Sequence, residues 1–339
     1  GKQAEKETYE TISKAAANGG MSMICTMPNG LLRSLADPES YQMAIDAGEA
    51  NSVVDFHPAA SPMGFEKGNV AELAKKTAFF KLHQANFPNV PMEESFGTMD
   101  SYVLDRCLAE VAKTGRYIGV HPTDGSYNAG TKKAVQESDI PMDLYHVLPY
   151  LYGDEEMSSA AWHLAYYMRK HKVKWLAMHC WHPGYIDLIR MLKKQGDMDI
   201  VATLEVCPSN GLTDYLTDPD TGFQIALGHT ALPDWDKVWE AVNDGTIDIL
   251  GTDHSPHLVK HYHPETPFAS AMGVPGLDWY GHLMLNEVNN GKLTLERLVQ
   301  LTSENGCKAF GWYDRKGSNL PGTDADFTIC DMEREWTIG

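Results

Sequence analysis

A repeated unit constrains this chain more than any other feature. Each unit is a short apolar run, a polar residue at its end, and then a helix-like stretch or a long loop. The apolar runs cover residues 21–26 (MSMICT), 52–56 (SVVDF), 77–82 (TAFFKL), 117–121 (YIGVH), 174–179 (KWLAMH), 200–206 (IVATLEV) and 247–253 (IDILGTD). Near-continuous apolar runs of this length fit parallel strands covered on both faces. Between them lie helical patterns. Tyr9, Ile12 and Ala16 share one face of a helix over 4–18, with Gly19 and Gly20 as its stop. Tyr185, Leu188, Ile189 and Leu192 follow the i, i+3, i+4, i+7 spacing, and further helices are expected over 100–113 and 235–242. Strand–helix alternation on this scale gives a (β/α)₈ barrel or a doubly wound sheet. No GxGxxG follows the first run, and polar residues recur at the same end of several runs, so the barrel is the expected fold.

Composition narrows the function classes. The 339 residues are 43% hydrophobic, enough for one large barrel domain, and no repeat or linker-like segment divides them. A net charge of -18 repels phosphate backbones and anionic lipid, which argues against nucleic-acid or membrane-surface partners. No apolar run is long enough to span a bilayer, and no signal peptide opens the chain. The six cysteines form no CxxC pair, which suits a reduced cytoplasmic protein. Past Cys307 the pattern changes: KGSNLPGTDADFTICD (316–331) reads as short strands joined by turns. The expected organisation is a barrel over 1–310 and, over 311–339, part of a small β-sandwich appended to it.

Four run ends stand out: Lys81 in FFK, His121 in GVH, His179 in AMH and Asp253 in GTD. The C-terminal strand ends of a barrel converge on one mouth, so residues far apart in sequence share a cavity there. Two imidazoles, a carboxylate and an oxygen donor suit zinc or a similar divalent ion. Each residue alone has a bland explanation, as a loop, core or capping side chain; the four at one barrel end do not. His146, His163 and His171 fall in or near helices and read as surface or packing residues, and the HxH of His261 and His263 follows a charged loop rather than a strand.

These residues resemble the amidohydrolase superfamily, and within it the cyclic amidohydrolases: dihydroorotases, allantoinases and hydantoinases/dihydropyrimidinases. The likeness is carried by AAANGGMSMICTMPN (15–29), HCWHPGYIDLIR (179–190), DGTIDILGTDHSPH (244–257) and the 316–331 segment, with MPN and DHSPH nearest to the dihydroorotases of pyrimidine metabolism. The resemblance implies a TIM-type barrel of the metal-dependent hydrolase kind and hydrolysis of a C–N bond in a small cyclic amide. It implies zinc, as two divalent ions, bridged by Lys81 in carboxylated form. His121 and His179 would bind one ion. Asp253 would bind the other and shuttle the proton of the attacking metal-acidified water to the leaving nitrogen. Asn29 and His257 would contact the substrate, and Gly276, in GVPGL, would lie beside its ring. A homo-oligomer, dimer or tetramer, is the implied assembly.

Two departures from the family pattern matter. The family's first strand carries an HxH pair that is missing here, and a segment ahead of Gly1 is expected to hold it. CPSNGL (207–212) and ALGHTALPD (226–234) replace the family's substrate-facing loops. Hydantoin, dihydropyrimidine or allantoin rings therefore stay open as substrates beside a dihydroorotate-like ring. A relative that has lost its metal and serves in assembly is the non-enzymatic alternative.

Overall fold

The chain was analysed as a computed structural model that describes residues 5–28, 35–84, 100–143, 146, 147, 150, 153–205, 234–261, 267–269, 271, 273 and 275–335. Within these, strands and helices alternate through most of the chain as far as the strand Ile249–Leu250. The first part runs α1 (Tyr9–Asn18), β1 (Met23–Thr26), α2 (Pro38–Asn51), β2 (Asp55–Pro58), α3 (Asn69–Leu73), β3 (Phe79–His83), α4 (Ser101–Ala112), β4 (Tyr117–His121) and α5 (Gly125–Gln136). It continues with α6 (Asp154–His171), β5 (Lys174–Ala177), α7 (Pro183–Gln195), β6 (Ile200–Leu204), α8 (Trp235–Asp244) and β7 (Ile249–Leu250). The helices α9 (Leu277–Asn289), α10 (Leu295–Val299) and α11 (Asn305–Phe310) follow.

Local chemistry sets the boundaries. α1 starts at Tyr9 rather than at residue 4 because the Thr8 side chain accepts from Thr11 N while the Thr11 hydroxyl takes the Thr8 N–H, a reciprocal cap that fixes the first turn. α7 begins with Pro183 in its first turn and ends on Gly196 in the left-handed region, and it buries Tyr185, Leu188, Ile189 and Leu192 as their spacing requires.

The strands pair in chain order and all in parallel. β1 pairs with β2, and β3 to β7 form a five-stranded run. A parallel bridge from Ala60 to Phe80 joins the two sets. Sequential parallel strands with helices between them make this an α/β barrel of the TIM type. Outward residues of the strands, among them Phe80, Leu82, Ile118, Val120 and Trp175, pack into one large core with the helices. Inward residues form a second layer: Phe79, Tyr117, Leu176 and Met178 plug the barrel, with Phe310 stacked on Phe79 at 4.8 Å between ring centroids.

Among the described residues β1 and β7 each have one strand neighbour. On the outside of that seam α9 packs against α1 through glycines: a Cβ on Gly19 would lie 1.8 Å from Leu277 O, and one on Gly281 would lie 2.5 Å from Gly19 O. No helix of the described residues is long and apolar enough to cross a membrane.

Residues 316–331 differ from their sequence pattern. They run as turns and extended chain, with no strand among them. An extended segment becomes a strand only when a neighbour completes its ladder. Here side chains pin it instead: the Thr328 hydroxyl donates to Gly20 O at 2.6 Å, and Lys316 lies among Asp55, Asp324 and Asp326.

Candidate functional site

Lys81, His121, His179, Asp253 and His257 line the end of one long cavity, of about 2650 Å³, that also runs past Phe79, Leu176, Met178 and Phe310 and along the β1–β7 seam to residues 316–334. Alternation along the strands explains the first two. Phe79, Lys81 and His83 share the inner face of β3, while Tyr117, Gly119 and His121 share that of β4. The parallel register sets Lys81 opposite Gly119 and His83 opposite His121. Lys81 thus stands one layer above the aromatic plug, 2% exposed.

His179 and Asp253 reach the cavity by another route. Met178 already faces inward, so strict alternation would send His179 out; a φ of 62° breaks the alternation and returns its ring to the cavity. Asp253 has φ 46°. These are two of the three non-glycine residues with positive φ among those described, the third being Lys172 at the end of α6. Such backbone persists only where surrounding structure imposes it, and it gathers at functional sites.

The rings are close. The imidazoles of His121 and His179 lie 4.4 Å apart between centroids, and His83 stacks on His121 at 5.0 Å. Glu205, just past β6, is 7% exposed; its Oε2 accepts from His179 N at 2.8 Å and lies 3.2 Å from His179 Nδ1. A carboxylate there favours the proton on Nδ1 and leaves Nε2 as the donor atom of the ring. Thr203 donates its hydroxyl to the other Glu205 oxygen.

Electrostatics follow from this packing. Burial brings the Lys81 amine down to about 8, although Asp253 and Glu205 pull it back upward. Burial also pushes the Glu205 carboxyl up, but His179 and the Thr203 hydroxyl outweigh it and hold Glu205 below the usual range. Asp253 is ringed by protein though its side chain opens onto the cavity, and desolvation, joined by Glu205, raises its carboxyl against the pull of His179, Lys81 and His254.

His254 anchors the loop carrying Asp253. Its Nδ1 accepts from Gly276 N at 2.9 Å and Leu277 N at 3.3 Å, which puts its proton on Nε2, 2.9 Å from Glu7 Oε1. Gly276 is therefore a partner of His254, and it is not among the described residues that line the cavity. His257 does line it, with Nε2 3.4 Å from the Ser255 hydroxyl. Asn29, residues 207–212 and 226–233, and His263 lie outside the described residues. The helical histidines are engaged elsewhere: His146 with Asp143, His163 with Gln84 and Ser101, His171 with Asp105.

His83 and Glu205 were not singled out from sequence. The signal for His83 was its place two residues after Lys81 in FFKLH, on the same strand face. For Glu205 it was a lone acid closing an apolar run.

As a donor set the mouth fits a divalent ion: two imidazoles, one beside a carboxylate, with Asp253 on the same cavity and a buried amine of reduced basicity. The trio of donors within 4.8 Å of one another found among the described residues lies elsewhere, at Asp55, Asp324 and Asp326. The Lys316 ammonium already occupies that surface cluster.

Residues 2–337 match the amidohydrolase family. A dihydroorotase of Methanosphaera stadtmanae is 28% identical over 98% of this chain and 73% of its own length. An L-hydantoinase of Paenarthrobacter aurescens is 26% identical over 96% of this chain and 70% of its own. Among solved structures, L-hydantoinase (dihydropyrimidinase) from Arthrobacter aurescens superposes with a TM-score of 0.81 at 24% identity, covering 94% of this chain and 69% of that one.

Proposed function

The chain belongs to the amidohydrolase family, and from that premise we propose that it opens a cyclic amide by metal-dependent hydrolysis, a dihydroorotate-like ring being the first substrate to test. It is a hydrolase of carbon–nitrogen bonds in cyclic amides. The observation that carries the assignment of residues is the convergence of Lys81, His121, His179 and Asp253 on one cavity from the ends of four parallel strands.

Under this proposal His121 and His179 would hold one divalent ion, zinc in the first instance, and Asp253 and Lys81 would contribute ligands to a two-ion site. An ion bound there supplies Lewis acidity, polarising the amide carbonyl and lowering the pKa of water from about 16 to near 7. The remaining steps fall to the chain's own residues. An ammonium on Lys81 would repel a cation, but an amine brought down to about 8 has a substantial neutral fraction near pH 7–8, and a neutral amine can take up CO₂ as a carbamate, an anionic oxygen donor. Asp253 takes the proton of the attacking water and passes it to the leaving ring nitrogen; an upward-shifted carboxylate is better matched to that exchange. Glu205 holds the His179 ring, and His257 and Asn29 bind the substrate.

A hydantoin or dihydropyrimidine ring is the second reading. The likeness to an L-hydantoinase sequence and the unusual 207–212 and 226–234 segments favour it. The barrel over 1–310 with an appended segment over 311–339, a cytoplasmic setting and a homo-oligomer belong to the same proposal. The end of the last helix at Phe310 supports the boundary, and the free thiols of all five described cysteines support a reducing compartment. The test is ring opening on dihydroorotate, hydantoin, dihydrouracil and allantoin with zinc and bicarbonate supplied. Turnover of one of them is expected; failure on all four removes the proposal.

A further inference from the structure

The strand that leads to Asp253 ends before reaching it. β7 stops at Leu250, and one further ladder bond follows, from Gly251 N to Leu204 O at 2.9 Å. Asp253 then sits in the left-handed region, a conformation that persists only where neighbours impose it. The neighbours act through His254. Its N–H donates to the Thr252 hydroxyl at 3.2 Å, which closes a turn around Asp253. Its Nδ1 takes the N–H groups of Gly276 and Leu277, at the start of α9, where the cap residue Gly276 has no side chain to offer them. Its Nε2 lies 2.9 and 3.0 Å from the two carboxylate oxygens of Glu7, in the segment ahead of α1. The His254 and Glu7 side chains are 6% and 20% exposed.

Only one tautomer satisfies both ends of that ring. Nδ1 accepts from α9 only while the proton sits on Nε2, and a carboxylate facing Nε2 selects that form. We propose that Glu7 is a positioning residue of the site: by holding the Nε2 proton of His254 it keeps Nδ1 as the acceptor for α9, and so fixes the turn that presents Asp253 to the cavity. The inference rests on the role proposed above for Asp253. Without the carboxylate the ring can carry its proton on Nδ1, where it meets the Gly276 and Leu277 N–H groups donor to donor, and the turn loses its tie to α9. Glu5 also reaches this loop, but at its far end. It meets Lys260 at 3.0 Å and His261 at 3.5 Å with its own side chain half exposed, and an exposed pair of this kind holds little.

Hydrogen exchange of the whole chain, read by mass spectrometry on peptides covering 252–258 and 276–280, tests this without a substrate. Glu7→Ala is expected to exchange about tenfold faster in both peptides, with β5 exchanging as in the wild type. Glu7→Gln, whose amide oxygen still accepts from Nε2, is expected to recover most of the protection, and Glu5→Ala to leave both peptides unchanged. Zinc affinity, by competition with a chelator, should fall about tenfold in Glu7→Ala. On whichever ring the wild type opens, kcat should fall while KM holds, because Asp253 moves a proton rather than binding the ring. Wild-type exchange in Glu7→Ala, no recovery in Glu7→Gln, equal loosening by Glu5→Ala, or a loosened Glu7→Ala loop with unchanged zinc affinity and kcat would each overturn the proposal. A wild type that binds no zinc and opens no ring would remove the proposed function instead, and the exchange comparison would still decide whether Glu7 holds the turn.

Discussion

Asp253 and His179 show how much of the site rests on single backbone torsions. A left-handed conformation costs an ordinary residue roughly 1–2 kcal/mol, less for Asp, and both residues keep it where their side chains must leave the strand pattern to reach the cavity. Asp253→Gly relieves that strain and removes a carboxylate whose charge burial disfavours. The expected result is a melting temperature no lower than that of the wild type, with turnover down by about 100-fold or more; a destabilised but active variant would contradict the role given to Asp253. Glu205 acts through His179. Glu205→Gln keeps the shape but weakens the grip on the ring, so metal affinity should fall about 10- to 100-fold, measured by competition with a chromogenic chelator. An unchanged affinity would leave Glu205 as a packing residue only.

At the scale of elements, α6 carries a buried acid close behind the mouth. Glu156 is 1% exposed, and its Oε1 accepts from Asp124 N at 2.7 Å, beneath the loop that follows β4. Burial, joined by the Asp124 charge, raises its carboxyl to about 8 against the Asp124 N–H bond that favours the anion. The folded chain therefore holds this proton more tightly than the unfolded chain. Its contribution to stability is complete below the unfolded value of 4.5 and is lost as pH rises through about 8. Glu156→Gln removes the titration, so its melting temperature should decline less between pH 5 and 9 than that of the wild type; parallel declines would show that Glu156 does not titrate in this window. The α1–α9 seam is tested by Gly19→Ala, whose new Cβ would meet Leu277 backbone oxygen at 1.8 Å. Overpacking against a rigid backbone costs about 1–3 kcal/mol, and a melting temperature unchanged in this variant would mean that the seam adjusts freely. Elements were also the most legible level of the sequence. Each of the seven apolar runs overlaps an observed strand, and the expected helices around residues 9–18, 101–112, 183–195 and 235–244 are present. Hydrophobic periodicity records burial directly. Ends were less legible because caps and pairing partners set them: α1 waits for the Thr8 cap, β7 shortens to Ile249–Leu250, and 316–331 lacks a strand neighbour.

In the whole molecule, the site is an outcome of the sequential parallel pairing of the strands. The four candidate side chains that line the cavity come from positions 81 to 253, and their places at the ends of apolar runs are legible in the sequence. Sequence alone gave less warning of His83 and Glu205, because a residue's partner across the barrel is a fact of register, and of Gly276, whose N–H serves His254. The most direct measurement is metal content per chain, by mass spectrometry of protein loaded with zinc and bicarbonate, for the wild type beside Lys81→Ala. Roughly two ions per chain in the wild type, with a large loss of both metal and ring-opening activity in the variant, is the expected result. A wild type that retains no metal, or a Lys81→Ala protein with full metal and full rate, would contradict it.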